Sequence, residues 1–315
     1  MASTMTFAAT KKKLLRILSA IAAATAFLVL TAACGNAGAS NSSPSSSTTA
    51  TSKVDVAVSV NQWESIAKTI GGQDVNLHVI LSNDNVNAHE FEPEANDVAQ
   101  IEAAKVVLVN GAGYDQWATN AAHKGRGDIV DAASAGGIKM GANPHVWFSS
   151  SVRKATAKAY LAALEKAAPQ DEATFEKNYQ TWLSGEDKLD SELSAARAKL
   201  NGKTYAATAP VSHYLMEDLG LQCETPTGFA QAELNQSNPA PEDIQEFQNL
   251  INGKKIDLLV DNVQEANSTT NMIVEQAKKA RIPVVDFTET MPQQYQNLDA
   301  WVMALTKNIE AVTTK

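Results

Sequence analysis

The chain has 315 residues, two cysteines and a formal net charge of -9. Its first 33 residues contain four basic side chains and no acidic one, so without them the charge changes from -9 to -13. Such an acidic surface argues against nucleic acid and anionic lipid headgroups as partners. Residues 53–315, about 260 in number, remain for folding beyond this N-terminal part, which fits two lobes of ordinary domain size.

The N-terminus has the pattern of a secretory signal peptide. Basic residues between positions 11 and 16 precede an apolar run, residues 17–33, that contains no charge and is too short and too rich in alanine for a membrane span. Small residues then precede Cys34 in a pattern that resembles the bacterial lipobox, whose cysteine becomes the first mature residue and carries lipid. Thr31 replaces the usual aliphatic residue of that motif, so a plain signal peptide with an incidental cysteine is the alternative.

The composition changes again after Cys34. Residues 35–52 contain no charge and almost no apolar side chains, so they predict a flexible tether between a lipid-anchored Cys34 and the folded body. Cys223 is the only other cysteine, which excludes an intrachain disulfide once Cys34 carries lipid. The predicted plan is a signal peptide (1–33), a lipidated cysteine and tether (34–52), an N-terminal lobe (53–170), a linking helix (171–201) and a C-terminal lobe (202–315).

The first lobe alternates β-branched apolar runs with amphipathic runs, which is the pattern of βα units around a parallel sheet. His145–Phe148 also has the apolar composition of a strand and follows Pro144. Strands are predicted at Val54–Val60, Val75–Leu81 and Val106–Val109, and helices at Gln62–Ile70, Glu94–Ala103, Gln116–His123 and Val152–Ala167. The fold class is therefore α/β, and ligand-binding side chains should follow the carboxyl ends of the strands.

Residues 171–200 contain no proline and keep apolar side chains at helical spacing, so they predict one long helix. At about 1.5 Å per residue this helix would measure about 45 Å. Two helices broken at Gly185 are the alternative, because an interior glycine costs helix stability. The βα alternation then resumes, with strands at Thr204–Thr208, Ile256–Val260 and Pro283–Phe287 and helices at His213–Leu219, Pro241–Ile251, Ser268–Ala280 and Leu298–Val312.

Three of the five histidines, His89, His145 and His213, lie just after predicted strands or at the ends of elements, where open α/β sheets place their ligands. His78 lies inside a predicted strand and His123 on a charged helix end, so neither has a predicted role. Neutral imidazole suits Zn²⁺, and a closed tetrahedral site requires four protein donors. The spacing lacks any HxxxH or CxxC pattern, so by itself it leaves a metal site and three unrelated histidines both open.

Four segments, taken together and in order, resemble the metal-specific cluster A-I solute-binding proteins of ABC importers. The similarity extends over about residues 53–315 and favours a metal site over three unrelated histidines. The four segments are Asn87–Pro93, which contains His89; Asn143–Trp147, with the Pro-His pair of the family; Ser212–Leu215, which contains His213; and Phe287–Thr290, where the carboxylate ligand of the family usually lies.

The resemblance implies four metal ligands, namely the imidazoles of His89, His145 and His213 and the carboxylate of Glu289. The family more often has Asp at the fourth position, so Asp286 is the alternative donor. The resemblance also implies two α/β lobes joined by one long rigid helix, with the metal bound in the cleft between the lobes. A rigid helix implies limited closure rather than a wide hinge motion.

The expected function is that of an extracytoplasmic lipoprotein, anchored to the bacterial cell membrane, that captures Zn²⁺ and delivers it to an ABC permease. We expect a monomer that is not an enzyme. Three imidazoles favour Zn²⁺ over Mn²⁺, which prefers oxygen donors. Residues 121–128, however, lack the His-rich loop of many zinc-specific members, which leaves Mn²⁺ or a broad metal range open. A surface adhesin of the same fold is a further alternative, and the absence of HExxH disfavours a zinc hydrolase.

Overall fold

The structure is a computed structural model that describes residues 52–83, 86 and 91–314. The predicted signal peptide, Cys34, nearly all of the tether and His89 lie outside the described residues. All of the elements below belong to a single unit, Ala50–Lys315. Among the described residues, none of the helices combines the length and the apolar character that crossing a membrane requires.

The N-terminal sheet is parallel, with its strands in the order β2-β1-β3-β4. Its central strand β1 is rich in valine and is buried at six of its seven residues, as expected for a strand covered on both faces. The elements are β1 (Val54–Val60), α1 (Glu64–Gly71), β2 (Val75–Leu81), α2 (Ala95–Ala103), β3 (Val106–Val109), α3 (Gln116–Ala122) and β4 (Asp128–Asp131). The predicted bounds of β1, β2 and β3 are confirmed. The sequence does not predict β4, because four residues with an aspartate at each end show no clear alternation.

Three α-helices of increasing length follow β4. They are α4 (Ala132–Ala135), α5 (Ser150–Ala167) and α6 (Glu172–Leu200). The predicted strand at His145–Phe148 is wrong, because Val146–Phe148 form a 3-10 turn. The amide of Val146 donates to the carbonyl of Pro144 at 2.8 Å, so this backbone closes on itself instead of pairing with the sheet. The apolar composition that suggested a strand instead reflects burial of the two aromatic side chains, Trp147 and Phe148, in the core.

The long helix α6 is continuous, which confirms the prediction of one helix rather than two. Its 29 residues span about 44 Å at about 1.5 Å per residue. Gly185 does not interrupt it, and a Cβ atom there would lie 3.5 Å from the Asp299 carboxylate, an ordinary contact distance. The buried face of α6 packs against α1 and α5 and against the last helix of the chain. The buried residues of that face are Phe175, Trp182, Glu186, Leu189, Leu193, Ala196 and Leu200.

The C-terminal sheet is also parallel, with its strands in the order β6-β5-β7-β8. Two parallel α/β sheets and one long helix therefore confirm the predicted fold class. The elements are β5 (Thr204–Ala207), α7 (His213–Asp218), β6 (Gln222–Cys223), α8 (Thr227–Leu234), α9 (Pro241–Asn252), β7 (Leu258–Asn262), α10 (Ser268–Ala280), β8 (Val284–Phe287) and α11 (Leu298–Thr313). The prediction matches α10 at both ends and misses β6 and α8.

One apolar core runs through both lobes. Phe148, which precedes α5, has its ring centroid 5.7 Å from that of Phe287 at the end of β8 and 4.9 Å from that of Trp301 in α11. All three rings are essentially buried. Because side chains from both sheets pack in the same cluster, the loops that follow β1, β3, β5 and β8 face one another across a well-packed boundary.

Candidate metal centre

His145 and Glu289 come from different lobes and meet in the interior. His145 lies in the loop before the 3-10 turn at Val146–Phe148, and Glu289 is the second residue after β8. Each side chain is 5% exposed, and Nε2 of the imidazole lies 3.5 Å from Oε1 of the carboxylate. A buried carboxylate next to an imidazole is a donor pair that divalent transition metals use.

The second ring nitrogen of His145 fixes the state of the first. Nδ1 lies 2.7 Å from Oδ1 of Asn143, and an amide oxygen only accepts hydrogen bonds, so Nδ1 carries the hydrogen. Nε2 then presents a lone pair, and it is buried with no hydrogen-bond partner among the described residues. A lone pair that faces a carboxylate oxygen in a dry interior is unfavourable unless a proton or a cation lies between them. This arrangement therefore fits a metal ion.

Glu289 is positioned by residues of both lobes. The Tyr114 hydroxyl donates to Oε2 at 3.2 Å, and Nδ2 of Asn262, at the end of β7, donates to Oε1 at 3.0 Å. The backbone of Glu289 is fixed as well, because its amide donates to Gln264 and its carbonyl accepts from Gln62 after β1. The carboxylate thus has a defined orientation toward His145.

Aromatic rings separate this pair from water on one side. The centroids of Tyr114 and Trp147 lie 6.1 Å and 5.4 Å from that of the His145 imidazole, and 5.1 Å from each other. Burial, and then the nearby charge of Glu289, raise the pKa of Tyr114 well above its usual value. Tyr114 therefore remains a hydroxyl donor at any physiological pH, and it stabilises the Glu289 carboxylate without competing with it for a cation.

His213, the first residue of α7, lies elsewhere on the surface of the second lobe. Its side chain is exposed, packs edge-on against Tyr214 with ring centroids 5.0 Å apart, and lines a largely apolar cavity of about 180 Å³. The cavity lies between β5, β6 and α8, and Asn143 from the first lobe forms part of its wall. One residue, Asn143, therefore contacts His145 and borders the cavity that His213 lines.

The described part of the chain brings together two of the four predicted ligands. It contains no group of three or more His, Cys, Asp or Glu side chains close enough to hold one ion, so His213 does not join the His145–Glu289 pair. His89 lies outside the described residues. Asp286, the alternative carboxylate, is exposed on β8, whereas Glu289 is buried.

Sequence reasoning missed the groups that position the pair. Tyr114 and Gln264 follow strands and Asn262 ends one, but a single hydroxyl or amide at such a position has no pattern that marks it. The one available signal was the turn after β3, where Asn110–Gly113 reverses the chain. That turn brings Tyr114 to the Glu289 carboxylate, and Asp115 secures it by accepting from the amides of Asn110 and Gly111 at 2.6 Å and 3.0 Å.

Two parallel-sheet lobes, a long connecting helix and a buried imidazole–carboxylate pair contributed by both lobes define a metal-binding solute-binding protein of the cluster A-I type. Comparison with known families agrees with this class. The family described as zinc-uptake complex component A, periplasmic (ZnuA), matches residues 56–315. The chain therefore belongs to the ZnuA family.

Curated relatives of the chain include both zinc and manganese proteins. A putative metal-binding protein of Treponema pallidum is 29% identical over 55% of this chain and 62% of its own length. The high-affinity zinc uptake system protein ZnuA of Bacillus subtilis is 22% identical over 62% of this chain and 67% of its own. The manganese ABC transporter substrate-binding lipoprotein ScaA of Streptococcus gordonii is 26% identical over 48% of this chain and 53% of its own. The chain thus spans between about half and two thirds of the length of these three relatives.

Solved structures share the fold at low sequence identity. A crystal structure of ZnuA superposes with a TM-score of 0.69 at 18% identity and covers 83% of this chain and 99% of that one. The periplasmic zinc-binding protein TroA of Treponema pallidum gives 0.69 at 20% identity with the same coverage. The laminin-binding adhesin Lmb of Streptococcus agalactiae also gives 0.69, at 17% identity, over 82% of this chain and 99% of that one. These values establish the fold.

Proposed function

We propose that this protein is an extracytoplasmic lipoprotein that captures Zn²⁺ and delivers it to the permease of an ABC importer. The observation that carries the proposal is the buried lone pair of His145, which faces the Glu289 carboxylate at 3.5 Å. A cation between the two atoms would replace an unfavourable contact with two favourable ones. Membership of the ZnuA family supports uptake of a metal as the role of this pair.

The proposed ligands are His145 and Glu289 together with His213 and His89. Glu289 is preferred to Asp286 because it is buried, lies beside His145 and is oriented by Tyr114 and Asn262. His213 is exposed at the start of α7, so it would join the site through movement of its side chain. Donors from both lobes mean that the ion would fasten the lobes to each other, which is a signal that a permease can detect.

Zn²⁺ is the proposed cargo because three imidazoles and one carboxylate match its preferred donors. Mn²⁺ is the second candidate, since the relative from Streptococcus gordonii is described as a manganese transporter component. Lipid on Cys34 would hold the protein, as a monomer, at the outer face of the cell membrane. The likeness to the Lmb adhesin lies at 17% identity and concerns the fold, so no adhesive role is proposed.

The proposal is tested by measuring how much metal the purified protein binds. The protein is purified without added metal, loaded with Zn²⁺ or Mn²⁺, and compared by native mass spectrometry and chelator competition with His145→Ala and with the control His123→Ala, an exposed histidine beyond α3. We expect one bound Zn²⁺ in the parent and the control, and a loss of affinity of at least about 100-fold in His145→Ala, which exceeds the effect of outer-shell changes. A parent that binds no metal would overturn the proposal.

A second pair of matched variants identifies the carboxylate ligand. Glu289→Ala should weaken Zn²⁺ binding steeply, whereas Asp286→Ala should leave it within about twofold, because Asp286 is exposed on β8. The opposite result would assign the ligand to Asp286. Competition between Zn²⁺ and Mn²⁺ in the parent then measures the preference between the two metals.

A further inference from the structure

We propose that Asn143 is a positioning residue that fixes the tautomer of His145 and connects it to the loop that carries His213. Its role toward the metal rests on the proposed function, whereas its control of the tautomer is a property of the protein alone. Asn143 is half-buried, lies two residues before His145 and belongs to the first lobe. Its contacts extend to both lobes.

The two ends of the Asn143 amide have different partners. Oδ1 accepts from the backbone amide of His145 at 3.0 Å and from its Nδ1 at 2.7 Å. Nδ2 donates to the backbone carbonyl of Pro210 at 2.7 Å. A backbone amide can only donate and a carbonyl can only accept, so rotating the side-chain amide by 180° would break both of the bonds to the backbone. The orientation of the Asn143 amide is therefore determined by the backbone on each side of it.

This orientation determines which nitrogen of His145 is available. Because Oδ1 of Asn143 faces Nδ1, the hydrogen of the neutral imidazole resides there and Nε2 keeps its lone pair. Without an acceptor at Nδ1, the hydrogen would move to Nε2 and point at Oε1 of Glu289, 3.5 Å away. That hydrogen would occupy the position that a cation needs. Asn143 thus keeps the site in the form that can accept an ion.

Asn143 also contacts the second lobe on both sides of His213. Pro210 starts the 3-10 turn that leads into α7, and Tyr214, the residue after His213, donates its hydroxyl to the backbone carbonyl of Asn143 at 2.9 Å. A displacement of this loop by more than a few tenths of an ångström would break the Pro210 bond. The position of the loop and the state of the His145 ring are therefore coupled through one side chain.

The direct test is the tautomer of His145 in the metal-free protein, measured from the imidazole ¹⁵N chemical shifts at a pH where the ring is neutral. Asn143→Leu has nearly the same shape but neither donates nor accepts, so we expect its His145 signal to change from the Nδ1–H form to the Nε2–H form. Asn143→Asp keeps the acceptor and should keep the Nδ1–H form. If Asn143→Leu fails to fold, Asn143→Ala introduces no bulk and tests the same bond.

A matched control is available on β2. Asn76 lies beside the half-buried His78, and its Nδ2 is 3.1 Å from Nε2 of that ring. Asn76→Leu should therefore change the His78 signals and leave those of His145 unaltered. A His145 ring that stays in the Nδ1–H form in Asn143→Leu or in Asn143→Ala would overturn the proposal.

Zinc affinity then separates the two roles of Asn143. Asn143→Leu should lose about 10- to 100-fold in affinity, the range found for residues that orient a metal-bound histidine. Asn143→Asp keeps the tautomer but cannot donate to Pro210, and its negative charge strengthens the imidazole as a ligand, so its loss of affinity should be smaller. Equal affinities for the parent and Asn143→Leu would contradict the coupling. If the parent itself binds no zinc, the proposed function fails, while the ¹⁵N spectra still decide the tautomer.

Discussion

Two buried polar pairs in this protein have opposite characters. Arg153 of α5 and Glu186 of α6 are both fully buried, with Nε and Nη2 of the guanidinium donating to the carboxylate at 2.6 to 3.2 Å. Nη1 donates to the carbonyl of Trp147 at 3.1 Å. His145 and Glu289 are almost as buried, but their closest atoms are 3.5 Å apart and Nε2 of the ring has no hydrogen-bond partner among the described residues.

The difference separates a structural pair from a binding pair. Burial alone would lower the pKa of Arg153. The charge of Glu186 and the hydrogen bonds to Glu186 raise this pKa instead, so both side chains stay charged and each is the counterion of the other. The Arg153–Glu186 pair, called the saturated pair because its two side chains hydrogen-bond to each other, joins α5 to α6. Through the hydrogen bond to the carbonyl of Trp147 it also fixes Trp147, whose ring packs against His145. A complete hydrogen-bond network thus supports one side of a site that retains an unused lone pair.

The largest predicted effect comes from breaking the saturated pair. Glu186→Gln keeps the shape of the side chain but leaves the charge of Arg153 buried without its hydrogen-bonded counterion. We expect the free energy of unfolding to fall by about 3 to 5 kcal/mol, measured by urea denaturation. Replacing both partners with apolar residues, Arg153→Met with Glu186→Leu, should recover most of this loss. A single variant as stable as the parent would mean that water reaches Arg153.

The second prediction concerns the pair formed by His145 and Glu289. Glu289→Gln removes a charge next to a lone pair but keeps an oxygen for Tyr114, so the metal-free protein should lie within about 1 kcal/mol of the parent in unfolding free energy. Zn²⁺ at about 1,000 times its dissociation constant should stabilise the parent by about 4 kcal/mol and the variant by much less. Thermal melts with and without metal measure both quantities. Equal metal-induced stabilisation of the two proteins would remove Glu289 from the site.

The third prediction concerns a carboxylate at the edge of the saturated pair. Burial, and then the charge of Glu186, raise the pKa of Asp299 in α11 from 3.8 to about 6. At a pH between these two pKa values, Asp299 is more protonated in the folded chain than in the unfolded chain. This group therefore lowers the free energy of unfolding progressively as the pH rises from about 4 to about 6. Asp299→Asn should be more stable than the parent by about 1 kcal/mol above pH 6, a value reduced by the partial exposure of the side chain, and equal to it below pH 4. Urea unfolding at a series of pH values tests this, and a stability difference independent of pH would contradict it.

The spacing of apolar residues predicted those helices and strands that are long enough to show a regular pattern. The bounds of β1, β2, β3 and α10 agree with the sequence prediction, and α6 continues through Gly185 because its buried face packs against α1, α5 and α11. The missed β6 has only two residues, both exposed, so it carries no alternation. The strand predicted at His145–Phe148 failed because apolar content does not distinguish a buried turn from a buried strand.

The candidate site was predictable only in part for a related reason. His145 and Glu289 were indicated by their resemblance to family motifs, and the described structure brings these two together. The roles of Tyr114, Asn262 and Asn143 depend on which loop ends meet across the lobes, and no local pattern of one chain contains that information. Tertiary proximity, rather than residue type, makes these side chains part of the site.

The smallest predicted effect belongs to the residue next to Arg153. Lys154 pairs with Asp187 and Asp190 of α6, and the hydrogen bonds to these two residues raise its pKa, but its side chain is 34% exposed and that of Asp187 is 61% exposed. Lys154→Met should therefore cost only about 0.5 kcal/mol in unfolding free energy. At about 1 M salt, where charges are screened beyond about 3 Å, this small cost should vanish, while that of Glu186→Gln should persist. The ion pairs of Arg153 and of Lys154 both join α5 to α6, so the difference in burial would account for their different response to salt. A cost of Lys154→Met that salt does not reduce would contradict this explanation.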